Sequence, residues 1–510
     1  MARTDAVLLG IDFGSGGCKV TAIDGSGRLL GEASREYPTY YERPGWSEQE
    51  PADWYRAMCG ALAQVRASGV DFTRLCAVAF DGSTHNAVLL DGAMRPIRRT
   101  IMWTDQRSVE ECASLKEKHG ERIFEIAYQM PTPTWTLPQL LWLKRHEPEV
   151  AAKTKHILFV KDFVRFLVSG VAATDRIEAQ GTLFYDMKAR AWSRELFALT
   201  GFDFAALPEL VEPTSRLGSV TPQAAADTGI PAGTPVICGT SDSAVEDYGA
   251  GAVEPGDCIV KLATAGNVNV MTASACPYPS TLTYGHVIPG MWYTVSATNA
   301  AALCQRWFRD LFGDAEKAEA GVSAGRVFDL MDRRAAVSPA GANGVMFHPY
   351  LQGERSPYWD AKLRGSFTGL SIASTRGDFI RALLEGVAFS LLDCYGLIEE
   401  MGLPVKQIFL IGGGARSALW SGIVCDVFNL PVAVPSPGDA SFGAALLAGT
   451  GIGLFPDSRD AVKRCLRIDR ELRPDPERAA QYAELFRTYR EIHDALAPVY
   501  RKRGTASRAR

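Results

Sequence analysis

One short pattern occurs in both halves of this chain and limits the folds open to it. Near the start, the apolar run Val7-Leu8-Leu9-Gly10-Ile11-Asp12 meets a tip of small residues, Phe13-Gly14-Ser15-Gly16-Gly17, and then a second run, Cys18-Lys19-Val20-Thr21-Ala22-Ile23-Asp24. Two apolar runs joined by a glycine-rich turn predict a β-hairpin, and Leu29-Leu30-Gly31-Glu32-Ala33 extends it to an antiparallel meander. Cys76-Ala77-Val78-Ala79-Phe80 then predicts a short buried strand that ends in the polar loop Asp81-Gly82-Ser83-Thr84-His85-Asn86. In the second half, Cys258-Ile259-Val260-Lys261-Leu262, the turn Ala263-Thr264-Ala265-Gly266 and Asn267-Val268-Asn269-Val270-Met271 predict another hairpin. Gln407-Ile408-Phe409-Leu410-Ile411 later runs into Gly412-Gly413-Gly414-Ala415-Arg416-Ser417 and a helical pattern from Leu419 to Phe428. A hairpin followed by a strand and a loop, twice over, is a weak internal repeat. It predicts an α/β chain of two similar domains facing each other across a cleft. The expected domains are 1–250 and 251–500, meeting where glycine and proline cluster from Gly249 to Gly256.

Composition narrows the class. At 510 residues the chain has room for at least two hydrophobic cores. Hydrophobic residues make up 47% and charged residues 22%, ordinary for a globular protein and too apolar for a disordered one. Lysine and arginine number 54 against 58 acidic residues, a formal charge of −4, which gives no reason to expect a nucleic-acid partner. The basic run Arg501-Lys502-Arg503 with Arg508 and Arg510 reads as a frayed tail over 501–510. No apolar run approaches the ~18 residues needed to span a bilayer, and Ala6–Ile11 is too short for a signal peptide, so the expectation is a soluble, cytoplasmic chain without membrane partners. The 11 cysteines are scattered and never in C-x-x-C spacing, so neither disulfides nor zinc are expected. Ala479, Tyr482, Leu485, Phe486, Tyr489, Ile492 and Leu496 recur at helical spacing and predict a long amphipathic terminal helix.

Several residues are placed where chemistry occurs in α/β proteins. Asp12 ends the first strand beside Gly14-Ser15-Gly16-Gly17; small residues let backbone N–H groups approach an anion, and a carboxylate beside them can hold Mg²⁺, usually through water. Lys19 either adds positive charge there or simply alternates outward from its strand. No G-K-[ST] follows, so this is no Walker A loop. Asp242 lies just past a buried strand in Gly239-Thr240-Ser241-Asp242-Ser243, at the carboxyl end of a sheet where ligands bind; it suits either a base taking a proton from a hydroxyl or a helix cap. Glu246 and Asp247 nearby read as a solvated or capping pair. Gly412-Gly413-Gly414 leaves room for a flat base or ribose. Trp46, Trp103 and Trp135 sit in polar loops where an aromatic face can cover a sugar, and His85 reads as a hydrogen-bonded loop residue.

In order and spacing these segments resemble the FGGY carbohydrate kinase family. Gly10-Ile11-Asp12-x-Gly14-Ser15 resembles its opening G-I-D-x-G-T, and Trp46-Ser47-Glu48-Gln49-Glu50-Pro51 the W-x-E-Q-D-P of xylulose kinases and close relatives. Leu89-Leu90-Asp91, Trp103-Thr104-Asp105-Gln106-Arg107, Thr174-Asp175 and Gly181–Asp186 also follow the pattern, as do Pro349–Pro357, Arg364–Leu370 and Gly412–Ser417 with Trp420. The resemblance implies two actin-like, RNase H-type α/β domains that close on a sugar and Mg²⁺·ATP. By position, it implies that Asp242 is the general base and Asp12 the acid near the metal. Thr84, His85, Trp103 and Ser243 join Asp242 at the sugar. Ser15, Gly16, Gly17 and Lys19 would meet the ATP phosphates from the first domain and Thr264 with Gly266 from the second, and Gly413, Gly414, Ala415 and Ser417 would lie at the adenosine. Dimers are common among such kinases, so a homodimer is an expected assembly.

The chain departs from the pattern at three places. Gly16-Gly17 replaces hydroxyl residues in the first phosphate loop; Ala263-Thr264-Ala265 replaces a glycine and two hydroxyls in the second, which an alanine permits only where no positive φ is required; and Ser83-Thr84-His85-Asn86 stands where xylulose kinases resemble Q-M-H-G. Asp12 and Asp242 are retained, so an active kinase is expected. D-xylulose is the first substrate expected, from Trp46-Ser47-Glu48-Gln49. L-xylulose, ribulose, erythritol or an autoinducer-type sugar are alternatives, and so is a catalytically silent sensor of sugar and nucleotide.

Overall fold

The expected hairpin at the start forms the centre of a six-stranded sheet. A computed structural model of the chain describes residues 5–321 and 324–506. Val7–Phe13 (β1), Gly17–Asp24 (β2) and Leu29–Glu36 (β3) make the antiparallel meander; Leu75–Gly82 (β4), Arg216–Ser219 (β5) and Pro235–Ser241 (β6) complete the order β5-β6-β4-β1-β2-β3. β4 pairs with β1, and β6 with β4, in parallel. Buried on both faces, β1 and β4 are accordingly almost continuous apolar runs. Val7, Leu9, Ile11 and Phe13 point into a core with Trp54, Met58, Leu62 and Val65 of the helix Pro51–Ala67 (α1). The alternate face of β1, with Leu8, Gly10 and Asp12, meets the helix Ala440–Gly451, which joins this unit from far along the chain.

That helix packs by the absence of side chains. A Cβ on Gly10 would sit 1.8 Å from the Ser441 carbonyl oxygen, and one on Gly443 would sit 2.2 Å from that of Val245, in the helix Asp242–Gly249. β6 carries a second such contact. Its register with β4 shifts between Ile237 and Thr240, and Gly239 in that bulge has φ +72°, with its would-be Cβ 1.6 Å from the Phe80 carbonyl oxygen. The bulge re-aims the end of β6, and therefore Asp242, next to the end of β4.

By its internal contacts the chain forms two units. The first takes the chain up to Val253 together with Ala273–Trp292 and Pro437–Arg467; the second takes Glu254–Thr272, Tyr293–Ser436 and the chain from Ile468 on. In the second unit Asp257–Leu262 (β7), Gly266–Thr272 (β8), Trp292–Thr298 (β9), Gln407–Ile411 (β10), Val432–Pro435 (β11) and Ile468–Leu472 (β12) run in the order β9-β8-β7-β10-β11-β12. β7 and β8 form an antiparallel hairpin, β10 and β11 follow in parallel, and β12 closes the edge antiparallel. Read from β3, the first sheet has the same plan, β3-β2-β1-β4-β6-β5. The internal repeat in the sequence is thus a repeat of topology. The second core is built on the helices Arg376–Glu400 and Ala418–Phe428, with Tyr482 and Tyr489 of the terminal helix Pro476–Ala506 buried against it. That helix continues through Arg501, which pairs with Asp360 at 2.6 Å, and residues 507–510 of the basic tail lie outside the described residues. Eight of the 11 cysteines are buried. Among the described residues no helix is long and apolar enough to cross a membrane.

Gly443 gives a test whose sign is informative. Within a helix, glycine to alanine ordinarily stabilises by roughly 1 kcal/mol. Here the added methyl has no room, so Gly443→Ala should instead destabilise by about 1–3 kcal/mol, seen as a lower midpoint in denaturant unfolding.

Candidate active site

Three adjacent parallel strands end at one edge of the first sheet, each followed or closed by an acid. Asp12 on β1 is the register partner of Asp81 on β4, and Thr240 and Ser241 of β6 lie opposite Asp81 and Gly82, so Asp242 begins its helix beside them. On the other side of β1, Lys19 of β2 is the partner of Asp12. Asp81 is 0% exposed, and no donor reaches either of its carboxyl oxygens; Oδ1 of Asp12 is buried in the same condition. The two carboxyls face each other, and the only hydrogen available to join them is a proton carried by one. Burial pushes the Asp12 carboxyl up to about 7; the hydrogen bond to Asp81 opposes that shift, and the charges of Asp242, Asp439 and Glu246 add to it. Burial, then the charge of Asp12, holds Asp81 well above the usual carboxylate range. Of the pair read as solvated or capping, Glu246 is half-buried and its charge reaches Asp12, while Asp247 is 1% exposed and so is not solvated.

The hairpin tip is held from below. Gln49 donates from Nε2 to the Ser15 carbonyl at 2.8 Å and accepts from Trp54 Nε1 at 2.9 Å, while Trp103 Nε1 donates to the Ser15 hydroxyl at 3.0 Å. Gly16 is exposed, with open space where a side chain would be. Lys19 is engaged elsewhere: its ammonium lies 2.6 Å from Asp439 and 2.8 Å from Glu32. Burial pushes Asp439 up, and Lys19 with the Phe442 N–H and the Ser441 hydroxyl more than reverses it, keeping the carboxylate charged at the cap of its helix. Trp46 is engaged by an arginine: the guanidinium of Arg107 lies 3.7 Å from its ring centroid, and Arg107 pairs with Asp105 and Glu48. The W-x-E-Q and W-x-D-x-R segments are therefore one interlocked scaffold beneath the tip.

On the other side of Asp242 lies a wall of uncharged and acidic groups. Asp242 Oδ1 accepts from Thr84 Oγ1 at 3.1 Å and from its neighbour, the Ser243 N–H, at 2.8 Å. Ser241 occupies the helix cap without a side-chain bond to it. His85, at φ 57°, donates its backbone N–H to Glu178 Oε1 at 2.6 Å, stacks on Trp135 at 4.8 Å, and keeps Nδ1 buried without a partner. Burial pushes its imidazole down to about 3, so it is neutral. Tyr284 is close enough to Asp242 and Glu178 to feel both charges, and lies 6.4 Å from Trp135, ring to ring. Glu178 is fixed from behind. Asp175 caps its short helix through the Ile177 and Glu178 N–H groups, accepts from Thr240 Oγ1 at 2.7 Å, and pairs with the buried Lys161 at 2.8 Å.

The second unit has its own small-residue surface. Gly412, at φ +89°, approaches the end of β7 so closely that a Cβ would lie 2.7 Å from the Leu262 backbone, while Gly413 has open space around it. Gly414 and Ala415 are buried, and Ser417 caps the helix Ala418–Phe428. Thr264 is exposed at the hairpin tip and accepts from Arg306 at 2.5 Å; Gly266 is buried, where a Cβ would meet Leu391, Thr298 and Ala301. No positive φ occurs at Ala263, so the alanine fits there.

Known proteins place this geometry. The FGGY family of carbohydrate kinases, N-terminal domain, matches residues 7–249, and its C-terminal domain matches residues 262–452. The chain is 32% identical over 490 residues to a xylulose kinase of Bacillus subtilis, covering 95% of this chain and 96% of that one. It is 28% identical over 501 residues to a gluconokinase of Bacillus licheniformis, covering 97% and 96%. A crystal structure from Brucella ovis, described as a "xyloylose kinase", is 31% identical and has a TM-score of 0.86, covering 97% of this chain and 100% of that one. The chain belongs to the FGGY family of carbohydrate kinases. It is a sugar kinase, with ATP as the co-substrate of its family.

Two outcomes follow. The Asp12 carboxyl keeps its proton up to about 7 when folded and only to 3.8 when unfolded, so its contribution to stability is present below 3.8 and lost as pH rises through 7. Asp12→Asn should therefore raise the thermal midpoint of metal-free protein at pH 8 by a few degrees, roughly 2–4 °C per kcal/mol relieved, and leave it almost unchanged at pH 4. Thr84→Val removes the hydroxyl that orients Asp242; a hydrogen bond to a charged group is worth about 1.5–3 kcal/mol, so kcat should fall about tenfold or more, with KM for ATP unchanged in steady-state kinetics.

Proposed function

We propose that this kinase phosphorylates a neutral ketopentose, D-xylulose first among them, with Asp242 as general base. The observation that carries the reading is the placement of Asp242. It stands at the carboxyl end of a parallel strand, oriented by Thr84 and Ser243, between the acidic edge and the wall of His85, Trp135 and Tyr284. The sugar's hydroxyl oxygen attacks the γ-phosphorus of ATP, its proton passes to the Asp242 carboxylate, and the bond from the γ-phosphorus to the bridging oxygen of ADP breaks. A base so placed contributes about 10²- to 10⁴-fold. His85, Trp103 and Ser243 are the further sugar contacts of this reading. Ser15, Gly16 and Gly17 offer small-residue backbone to phosphate oxygens, Thr264 and Gly266 do so in the second unit, and Gly413, Gly414, Ala415 and Ser417 receive the adenosine. Lys19 reaches a phosphate only by leaving Asp439 or Glu32.

The acidic edge fits a Mg²⁺ ion. Asp12 Oδ1 is buried without a donor, in the field of Asp242, Asp439 and Glu246, and Mg²⁺ commonly takes one or two carboxylates together with water and substrate phosphates. When bound with the nucleotide, the ion would supply charge neutralisation at the phosphates.

The gluconokinase relative raises a second substrate class, a sugar acid. The wall beside Asp242 argues against it: Thr84, Trp135 and Tyr284 are uncharged, burial keeps His85 neutral, and Glu178 is an acid, so an anionic substrate meets no counter-charge from them. The test is ADP release with Mg²⁺·ATP across D-xylulose, L-xylulose, D-ribulose, erythritol and gluconate. Ketopentose-dependent release that falls by about 10²-fold or more in Asp242→Asn is expected. Turnover of gluconate alone would overturn the substrate, and unchanged kcat in Asp242→Asn would overturn the base.

A further inference from the structure

We infer that Asp81, beside Asp12, is a second carboxylate that holds the divalent cation of this kinase. The inference rests on the reading that Asp12 lies at a Mg²⁺ ion. It comes from what surrounds Asp81. The side chain is 0% exposed, yet neither carboxyl oxygen has a hydrogen-bond donor. A buried carboxylate left in that state costs several kcal/mol unless a proton or a cation answers it. The register pairing of β1 and β4 sets Asp81 directly beside Asp12, on the same face of the sheet. The ammonium on that face, Lys19, is held by Asp439 and Glu32. Among the described residues no donor therefore answers Asp81 or Oδ1 of Asp12, and the one contact recorded between the two acids is the hydrogen bond from carboxyl to carboxyl.

The donor set also says which ion. Among the described residues no group of three or more histidines, cysteines or acids is spaced to cage a metal. Two hard carboxylate ligands, with the remainder from water and phosphate, is the arrangement Mg²⁺ accepts, whereas Ca²⁺ and Zn²⁺ sites draw more of their ligands from protein. The competing explanation is a proton shared by Asp12 and Asp81 with no role toward a metal.

The two are separated by thermal shift of the full chain with the non-hydrolysable analogue AMP-PNP, with and without Mg²⁺, the difference being the metal's own increment. Asp81→Asn should lose most of that increment and raise the Mg²⁺ concentration for half-effect by about tenfold or more, while the shift from AMP-PNP alone persists. A full increment in Asp81→Asn or in Asp81→Ser overturns the inference. If Asp12→Asn alone loses the increment, only the role of Asp81 falls; if Asp12→Asn also keeps it, the metal reading of Asp12 falls as well. Should the Asp81 variants not fold, Fe²⁺-directed oxidative cleavage of the unaltered protein decides. Mg²⁺-suppressible cuts beside both Asp12 and Asp81 are expected, and a cut at Asp12 without one at Asp81 overturns the proposal.

Discussion

The helix Ala440–Gly451 lies so close to β1 and to the helix Asp242–Gly249 that neither Gly10 nor Gly443 has room for a methyl group, and the active edge depends on that contact. It draws together parts of the chain that are distant in sequence: Asp12 and Lys19 from the first hairpin, Asp242 from the end of β6, and Asp439 from the cap of the helix itself. Thr21 and Ser441 join hydroxyls at 2.7 Å across the same interface, so the fit is both steric and polar. A larger side chain at either glycine would move the carboxylates relative to one another. Phosphoryl transfer depends on placement more than on covalent chemistry, so packing that fixes these positions matters to the site.

The same closeness concentrates negative charge. The charges of Asp242, Asp439 and Glu246 push the Asp12 carboxyl up, and those of Asp12, Asp242 and Asp439 push Asp81 up. Lys19 satisfies Asp439 and Glu32. An anion brought to this edge would meet repulsion. Around Thr84 and His85 the logic reverses. The groups there are neutral or tied, with the short helix of Glu178 capped by Asp175, which pairs with Lys161.

Much of this was legible in the sequence because each half repeats one local grammar. The hairpin at Gly14–Gly17, the strand before Asp81 and the strand before Gly412 are written in apolar runs and turn residues, and they fold as read. Asp12, Asp242, Thr84 and His85 are singled out by loop position and by family resemblance, and the fold brings Thr84 within 3.1 Å of Asp242. Asp81 stood in a polar loop with no spacing to mark it; its partnership with Asp12 is a property of strand register, which a parallel pairing across more than sixty residues does not announce. Glu178 and Tyr284 are likewise brought to His85 and Asp242 only by tertiary packing. Trp46 misled in the opposite direction: an aromatic residue in a polar loop suits a sugar, but the partner that covers it, Arg107, lies in another segment. Asp247 reads from the sequence as solvated or capping, and it is buried because its helix turns that face inward.

The segment Pro437–Arg467 returns to the first unit after most of the second unit's sheet has been laid down. During synthesis, the face of β1 that carries Leu8 and Gly10 is therefore complete in sequence long before the helix that covers it leaves the ribosome. The first unit cannot finish as an independent, early-folding block in the way N-terminal domains commonly do; it waits, with an apolar face open, for residues near the end of the chain. Expression in halves would strand that face without its helix. The order of synthesis thus makes the acidic edge one of the last features of the protein to exist.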